Sequence, residues 1–218
     1  MGFCCLRHRP DMVTHITRAE LTQLETNYDS SSDWELLDSK YLVNDRFLKL
    51  RINTFKMPSG KTVTPYYTFE YTAWANIVAL TPDHKVVLVK QFRPGSGRSS
   101  FELPGGGLEK TDSSAHIAAE RELLEETGFT CDRVIETGIT YTNPASHTNL
   151  LHCFIGLNAT HTHAQNLDAT EDIAIFLIPL QDLLAAIQAG EIIFQSLHIT
   201  ALFFAQRYLA TQKTPPTV

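Results

Sequence analysis

Gly105, Gly106 and Gly107 follow one another directly, and a helical pattern begins a few residues later. Consecutive glycines permit a backbone path closed to other residues, and they let carbonyls or amides come close to a ligand. Asp112, Ser113 or Ser114 can cap the helix expected near 113–127, and Gly128 suits its end. On that helix stand Glu122, Glu125 and Glu126. At about 100° per residue, Glu125 lies roughly 60° to one side of Glu122 and Glu126 about 40° to the other, so the three share a face. Ile117 and Leu124 fall about 200° round and suit burial. Like charges at these spacings repel, and the two later glutamates also meet the negative end of the helix dipole. Each effect costs a few tenths of a kcal/mol to about 1 kcal/mol at an exposed site. A divalent cation reverses the sign, because Mg²⁺ takes a few carboxylate oxygens and completes its shell with water and phosphate. For three glutamates taken alone, a merely solvated acidic face is the commoner explanation.

The flanking sequence supplies a mixed framework. Residues 1–33 carry little core signal and end in the polar run Asp29 to Asp33, which reads as a frayed lead-in. From Trp34 the pattern turns β-like: Leu48 to Asn53 alternate apolar and polar, a turn follows at Pro58-Ser59-Gly60, and Tyr67, Phe69 and Tyr71 alternate on one face. This reads as a small antiparallel unit over 34–72. A larger domain over 73–212 begins with strands at Trp74–Val78 and Val86–Val89, which turn about Pro82-Asp83-His84. Further strands are expected near 133–142, 149–157 and 172–178. Two helices close the chain, near Leu180–Ala189 and Leu197–Leu209, the first stopped by Gly190. Strands with helices interspersed indicate an α/β sandwich with a mixed sheet. A hydrophobic content of 43% over 218 residues suffices for one core plus a small appended unit.

The formal charge of -6, with no Lys/Arg cluster, argues against general nucleic-acid binding. A phosphate-bearing ligand would then draw its countercharge largely from bound cations. Cys4, Cys5, Cys131 and Cys153 make no disulfide framework, so a reducing, cytoplasmic setting is expected. Met1-Gly2 with Cys4-Cys5 and Arg7-His8-Arg9 superficially resembles a dual-acylation signal. Leu6 departs from that pattern, and an ordinary tail is expected ahead of a membrane anchor. His147, His161 and His163 lack the spacing of a zinc site and read as loop residues.

The whole string from Gly107 to Phe129 resembles the signature of the Nudix hydrolase family. That pattern is a Gly, five residues, a Glu, seven residues, then Arg-Glu-apolar-any-Glu-Glu-any-Gly-apolar. Arg121 to Phe129 complete its second half, and Ser113 stands where the family has its first Glu. Asp112 is adjacent, but its side chain is expected to point elsewhere. The resemblance implies metal ligation by Glu122 and Glu126, with Glu125 assisting and the Gly106 carbonyl contributing. It gives Arg121 the part of orienting the glutamates through charge-assisted bonds; otherwise Arg121 is a solvated surface charge. Mg²⁺ or Mn²⁺ is the implied cofactor.

Several flanking features are similar to the ADP-ribose pyrophosphatase subgroup. They are Gln91-Phe92-Arg93-Pro94 before Phe101-Glu102-Leu103-Pro104, Pro144 at sixteen residues after Gly128, and Thr170-Glu171-Asp172-Ile173. The resemblance implies cleavage of ADP-ribose to AMP and ribose 5-phosphate, with Arg93, Arg98 and Glu102 near the substrate. Arg98 is the weaker candidate, since either arginine could be a surface charge. Glu171 could bind metal, activate water, or be a solvated loop acid. The aromatic stripe could stack a base or simply pack. In that subgroup the N-terminal β unit is exchanged between two subunits, which implies a homodimer. Two alternatives remain open: a nucleotide-sugar such as GDP-mannose as substrate, and a Nudix-fold sensor that binds without cleaving.

Overall fold

The computed structural model describes residues 15–27 and 33–212. The Cys4-Cys5 segment and Asp29 to Ser32 lie outside the described residues. By compactness the described chain divides into two units: residues up to Lys40 with Ile52–Tyr66, and Tyr41–Arg51 with everything from Tyr67 onward.

The N-terminal part begins with helix α1 (Arg18–Thr26), inside the segment expected to be a frayed lead-in. Its start is a capping box. Thr17 Oγ1 accepts the Glu20 N–H at 3.3 Å, and the Glu20 carboxylate accepts the Thr17 N–H at 2.7 Å. Strands β1 (Glu35–Asn44), β2 (Lys49–Lys56) and β3 (Thr62–Phe69) form a three-stranded sheet in the order β1-β2-β3. Within the first unit Trp34, Phe55 and Tyr66 meet edge to face, with ring centroids 5.5 to 6.1 Å apart. The alternation from Leu48 onward is therefore a genuine strand period, and the sheet holds three strands.

The larger unit is built on a seven-stranded mixed sheet. Its path is β12 (Ala174–Pro179), β5 (Lys85–Arg93), β4 (Trp74–Leu80), β10 (Leu150–Leu157) and β9 (Arg133–Tyr141). β4 and β10 run parallel and the remaining pairs antiparallel. β6 (Arg98–Glu102) pairs with β5, and β7 (Gly105–Gly107) pairs with β4. A small ribbon joins β8 (Phe129–Thr130) to β11 (Thr160–His161).

The strand period explains why both faces are covered. Along β4, Ala75, Ile77 and Ala79 point to one face and Val78 and Leu80 to the other, and all are buried. Helix α2 (Ala115–Thr127) covers the first face through Ala118, Ala119 and Leu123. Helices α3 (Leu180–Gln188) and α4 (Ser196–Gln212) cover the second through Leu180, Leu183, Ala201, Leu202 and Ala205. This is the α/β/α sandwich expected of the alternating pattern. Each fully buried aliphatic side chain contributes about 1.5–3 kcal/mol relative to exposure. No described helix is long and apolar enough to cross a membrane.

Strand β7 occupies a split in this sheet. β4 and β5 meet at one register pair, Leu80 with Val86, and then part. The glycine run fills the gap, with Gly105 opposite Asn76, Gly106 opposite Ala75 and Gly107 opposite Trp74.

Candidate active site

Helix α2 is started by Ser114, whose hydroxyl accepts the Ile117 N–H at 3.3 Å, and ended by Gly128 in the left-handed region at φ 69°. The face it buries is not the one the helical wheel suggests. Ile117 is 42% exposed, whereas Glu126 is buried beside Ala118, Ala119 and Leu123. Two small alanines bring the helix close to the sheet, so the edge carrying Glu122 and Glu126 faces inward, over β7. There the glycine run has its reason. A Cβ on Gly106 would collide with the Glu122 carboxylate, and one on Gly105 with the Ala75 carbonyl. The Gly105 N–H donates to Glu126 Oε2 at 2.9 Å.

Burial pushes Glu122 up to about 7; Arg121 opposes the rise while Glu125 and Glu171 add to it. Burial likewise pushes Glu126 up to about 8. The Gly105 N–H gives partial relief, and Glu122 and Glu171 raise it further. Two carboxylates are thus held side by side without enough positive charge to answer them.

Arg121 sits at the centre of the acidic group. Its Nε donates to Asp112 Oδ1 at 3.1 Å and its Nη2 to Asp112 Oδ2 at 3.0 Å. Nη1 donates to Glu125 Oε2 at 2.9 Å and lies 3.1 Å from Glu122 Oε1. Nη2 also reaches the Gly107 carbonyl at 3.3 Å. The Asp112 side chain does not point away, as its place beside the motif position implies; it is almost wholly covered and faces Arg121. The loop makes this possible, because the Glu109 N–H donates to Asp112 Oδ2 at 2.8 Å and folds the segment back on itself. Arg121 bonding holds the Asp112 carboxyl below its usual range, while Ser113 is left exposed.

The other expected residues fall in three places. Arg93 forks onto Glu102, with Nε to Oε1 at 2.8 Å and Nη2 to Oε2 at 2.6 Å. Arg93 is 40% exposed and Glu102 only 3%. Burial alone would raise Glu102, but Arg93 and then His198 outweigh it and hold it at about 2. Glu102 is therefore enclosed by protein partners, and Arg93 is the member of the pair that reaches solvent. Arg98 is exposed, opposite Arg93 in the β5–β6 register, and joins no ion pair among the described residues. Glu171 lies on the loop before β12, where its carboxylate accepts the Asp168 N–H at 3.0 Å. It is near enough to act electrostatically on Glu122, Glu126 and Arg93.

Behind this site runs a buried polar chain that motif and periodicity do not single out. Trp74 Nε1 donates to Asn76 Oδ1 at 2.8 Å, and Asn76 Nδ2 meets His198 Nδ1 at 3.0 Å. Asn76 is a lone amide in the otherwise apolar strand β4, and that is its one signal in the sequence. His198 carries none, lying on a helix whose pattern is set by its apolar residues. Of the aromatic stripe, Phe69 and Tyr71 stack at 6.1 Å and His147 stands edge-on to both. His161 packs on the Phe129 ring at 5.2 Å. A cleft of about 520 Å³ is lined by residues 45–49, 70–72 and Lys110 and holds none of the helix α2 carboxylates.

Among the described residues no three His, Cys, Asp or Glu side chains already converge as a cation cage. The donor set nevertheless fits a hard divalent ion. It offers the oxygens of Glu122 and Glu126, raised in pKa for want of countercharge, and a glycine backbone with no side chain to block the approach.

The sequence profile described as NUDIX domain matches residues 71–197. An ADP-ribose pyrophosphatase of Bacillus subtilis is 25% identical over 163 residues, covering 74% of this chain and 87% of the relative. A GDP-mannose pyrophosphatase of Citrobacter koseri is 34% identical over 118 residues, covering 49% of this chain and 59% of that one. A crystal structure of an ADP compounds hydrolase superimposes with a TM-score of 0.70 at 18% identity, covering 83% of this chain and 96% of the other.

Proposed function

The chain belongs to the NUDIX domain family, and from that premise we propose that it hydrolyses the diphosphate bridge of ADP-ribose to AMP and ribose 5-phosphate, using Mg²⁺ or Mn²⁺. The observation that carries this reading is the pair formed by part-buried Glu122 and buried Glu126, held over a glycine strand with too little positive charge to offset their burial. The substrate class rests on the B. subtilis relative, which is matched over most of its length. The Citrobacter relative is the reason to test GDP-mannose alongside it.

Glu122 and Glu126 would hold the cation, with the Gly106 carbonyl beside them and Glu125 at the outer edge. A divalent ion bound there supplies countercharge for the diphosphate oxygens and lowers the pKa of an attacking water. Arg121, fixed by Asp112, orients Glu122 and Glu125. Arg93 offers its solvent-facing guanidinium edge to a phosphate oxygen while Glu102 keeps the side chain from turning away. Glu171 accepts the proton of the attacking water. Arg98 reaches only the outer part of the substrate.

We assign residues 34–72 to subunit exchange and residues 73–212 to the hydrolase domain. Trp34, Leu36, Leu37, Tyr41 and Leu42 are each 40% to 50% exposed, apolar side chains that a second copy would cover. Light scattering should then report a homodimer.

The direct test is to incubate the purified chain with ADP-ribose or GDP-mannose and millimolar Mg²⁺, with an EDTA control, and to resolve the nucleotides. AMP from ADP-ribose, lost with EDTA, is the expected result. Release of GMP from GDP-mannose alone would move the assignment to the nucleotide-sugar. Binding without any product would make the chain a sensor.

A further inference from the structure

Hydrogen-bond donors and acceptors fix the state of His198. An indole N–H can only donate, so the atom of Asn76 that it meets at 2.8 Å is the amide oxygen. The other arm of Asn76 is then its NH₂, which can only donate, and it lies 3.0 Å from His198 Nδ1. Nδ1 is therefore an acceptor, and in a neutral ring the proton sits on Nε2. That N–H points toward Glu102 Oε2 at 3.5 Å, beyond a formed hydrogen bond, and it has no other partner among the described residues. The ring is only 2% exposed, and burial lowers its pKa, which keeps it neutral.

His198 thus stands between two arms of the site. One runs through Asn76 to Gly105, its cross-strand neighbour, whose N–H holds Glu126. The other runs through Glu102 to Arg93. We propose that His198, neutral and protonated on Nε2, is a positioning residue through which the C-terminal helix α4 sets Glu102 and hence the phosphate-facing edge of Arg93. The kinetic part of this inference rests on the substrate-binding role proposed for Arg93; the tautomer does not.

Three readouts on the full chain test it. In a two-bond ¹H–¹⁵N spectrum at neutral pH, His198 should show a protonated Nε2 and a bare Nδ1. In turnover of ADP-ribose with Mg²⁺, His198→Leu should raise KM about threefold, the scale of a long N–H to carboxylate contact short of a full hydrogen bond, with a smaller change in kcat. His198→Gln keeps an amide donor for Glu102 and should recover most of that loss. In an Arg93→Ala background, His198→Leu should add little further to KM, because the two act in series. A proton on Nδ1, an unchanged KM in His198→Leu, or KM effects that add independently would each overturn the proposal. Absence of ADP-ribose turnover by the wild-type chain would instead count against the proposed function, and the spectrum would still decide the tautomer.

Discussion

Glu102 and Glu126 are almost equally buried, at 3% and 4% exposure. One is held at about 2 and the other at about 8. Burial is the largest influence on both and acts in the same direction, so it cannot be what separates them. The difference lies in what faces each carboxylate. Glu102 meets a two-pronged guanidinium, whereas Glu126 meets one backbone N–H and two further acids. A buried charge is tolerated when the chain itself answers it; left unanswered, it stays protonated or takes a cation from solution. Glu102 is therefore part of the frame, and Glu126 is the carboxylate left for the cation of the proposed function.

The largest effect expected from this contrast is on turnover. Glu126→Gln should lower kcat by about a thousandfold or more if that oxygen ligates the cation, since a charge-stabilising group at the reacting centre is worth several kcal/mol. Near-ultraviolet circular dichroism should remain native. A variant retaining wild-type rate would place the metal elsewhere. Arg93→Ala attacks the other side. Removing one partner of a buried pair can cost about 3–5 kcal/mol. Arg93 is 40% exposed and water can enter behind it, so about 2 kcal/mol in urea unfolding is the better figure, with a raised KM. No change in either quantity would show that Glu102 finds another counterion.

Stability against pH separates the two glutamates without any substrate. Glu122 and Glu126 have folded pKa values of about 7 and 8 against an ordinary value of 4.5, so the folded state holds extra protons between these limits. Their favourable contribution is full below about 4.5 and is lost as pH rises through 7 and 8. Glu102 is depressed to about 2, so its contribution is present above about 4.5 and is lost as pH falls toward 2. The metal-free protein should therefore melt highest near pH 4 to 4.5, where these opposing contributions cross, with Tm falling by about 5 °C or more toward pH 9. Glu126→Gln should flatten the alkaline limb only, and Mg²⁺ should lift Tm most above pH 7. A Tm independent of pH in EDTA would mean that the two acids are not strained.

What the sequence makes legible is whatever sits close together along the chain. Glu122, Glu125, Glu126 and Gly105 to Gly107 belong to one loop and helix, so spacing alone brings them together. Helical angles give their positions relative to one another but not which edge faces the sheet. That is why Ile117 is expected inside and lies 42% exposed. Arg93 and Glu102 both stand out by resemblance, yet the β5–β6 register sets them opposite Arg98 and Val89, so their ion pair is a diagonal that no local pattern reveals. His198 and Asn76 are 122 residues apart and meet only because α4 packs across β4. Helix α1 is different: Thr17 and Glu20 spell out a capping box, a local signal easily lost among polar neighbours.

The smallest effect concerns Asp112, a carboxylate on the Glu102 side of the contrast. Its side chain is covered, its charge is answered by both edges of Arg121, and its loop is closed by the Glu109 N–H. Ser113, at the family's acidic position, is exposed and makes no bond to that arginine among the described residues. A motif reading expects Ser113→Glu to strengthen the enzyme. The geometry expects a change of less than about twofold, because a surface charge facing solvent is worth under about 1 kcal/mol and Arg121 is already held. Asp112→Asn should lower kcat about tenfold, the scale of one lost charge-assisted bond, through looser placement of Glu122 and Glu125. In the double variant, Ser113→Glu should not restore what Asp112→Asn removes, since the new carboxylate would point away from the arginine. Full rescue would show that the loop can rearrange to the family's arrangement, and Asp112 would then be one of two interchangeable anchors for Arg121.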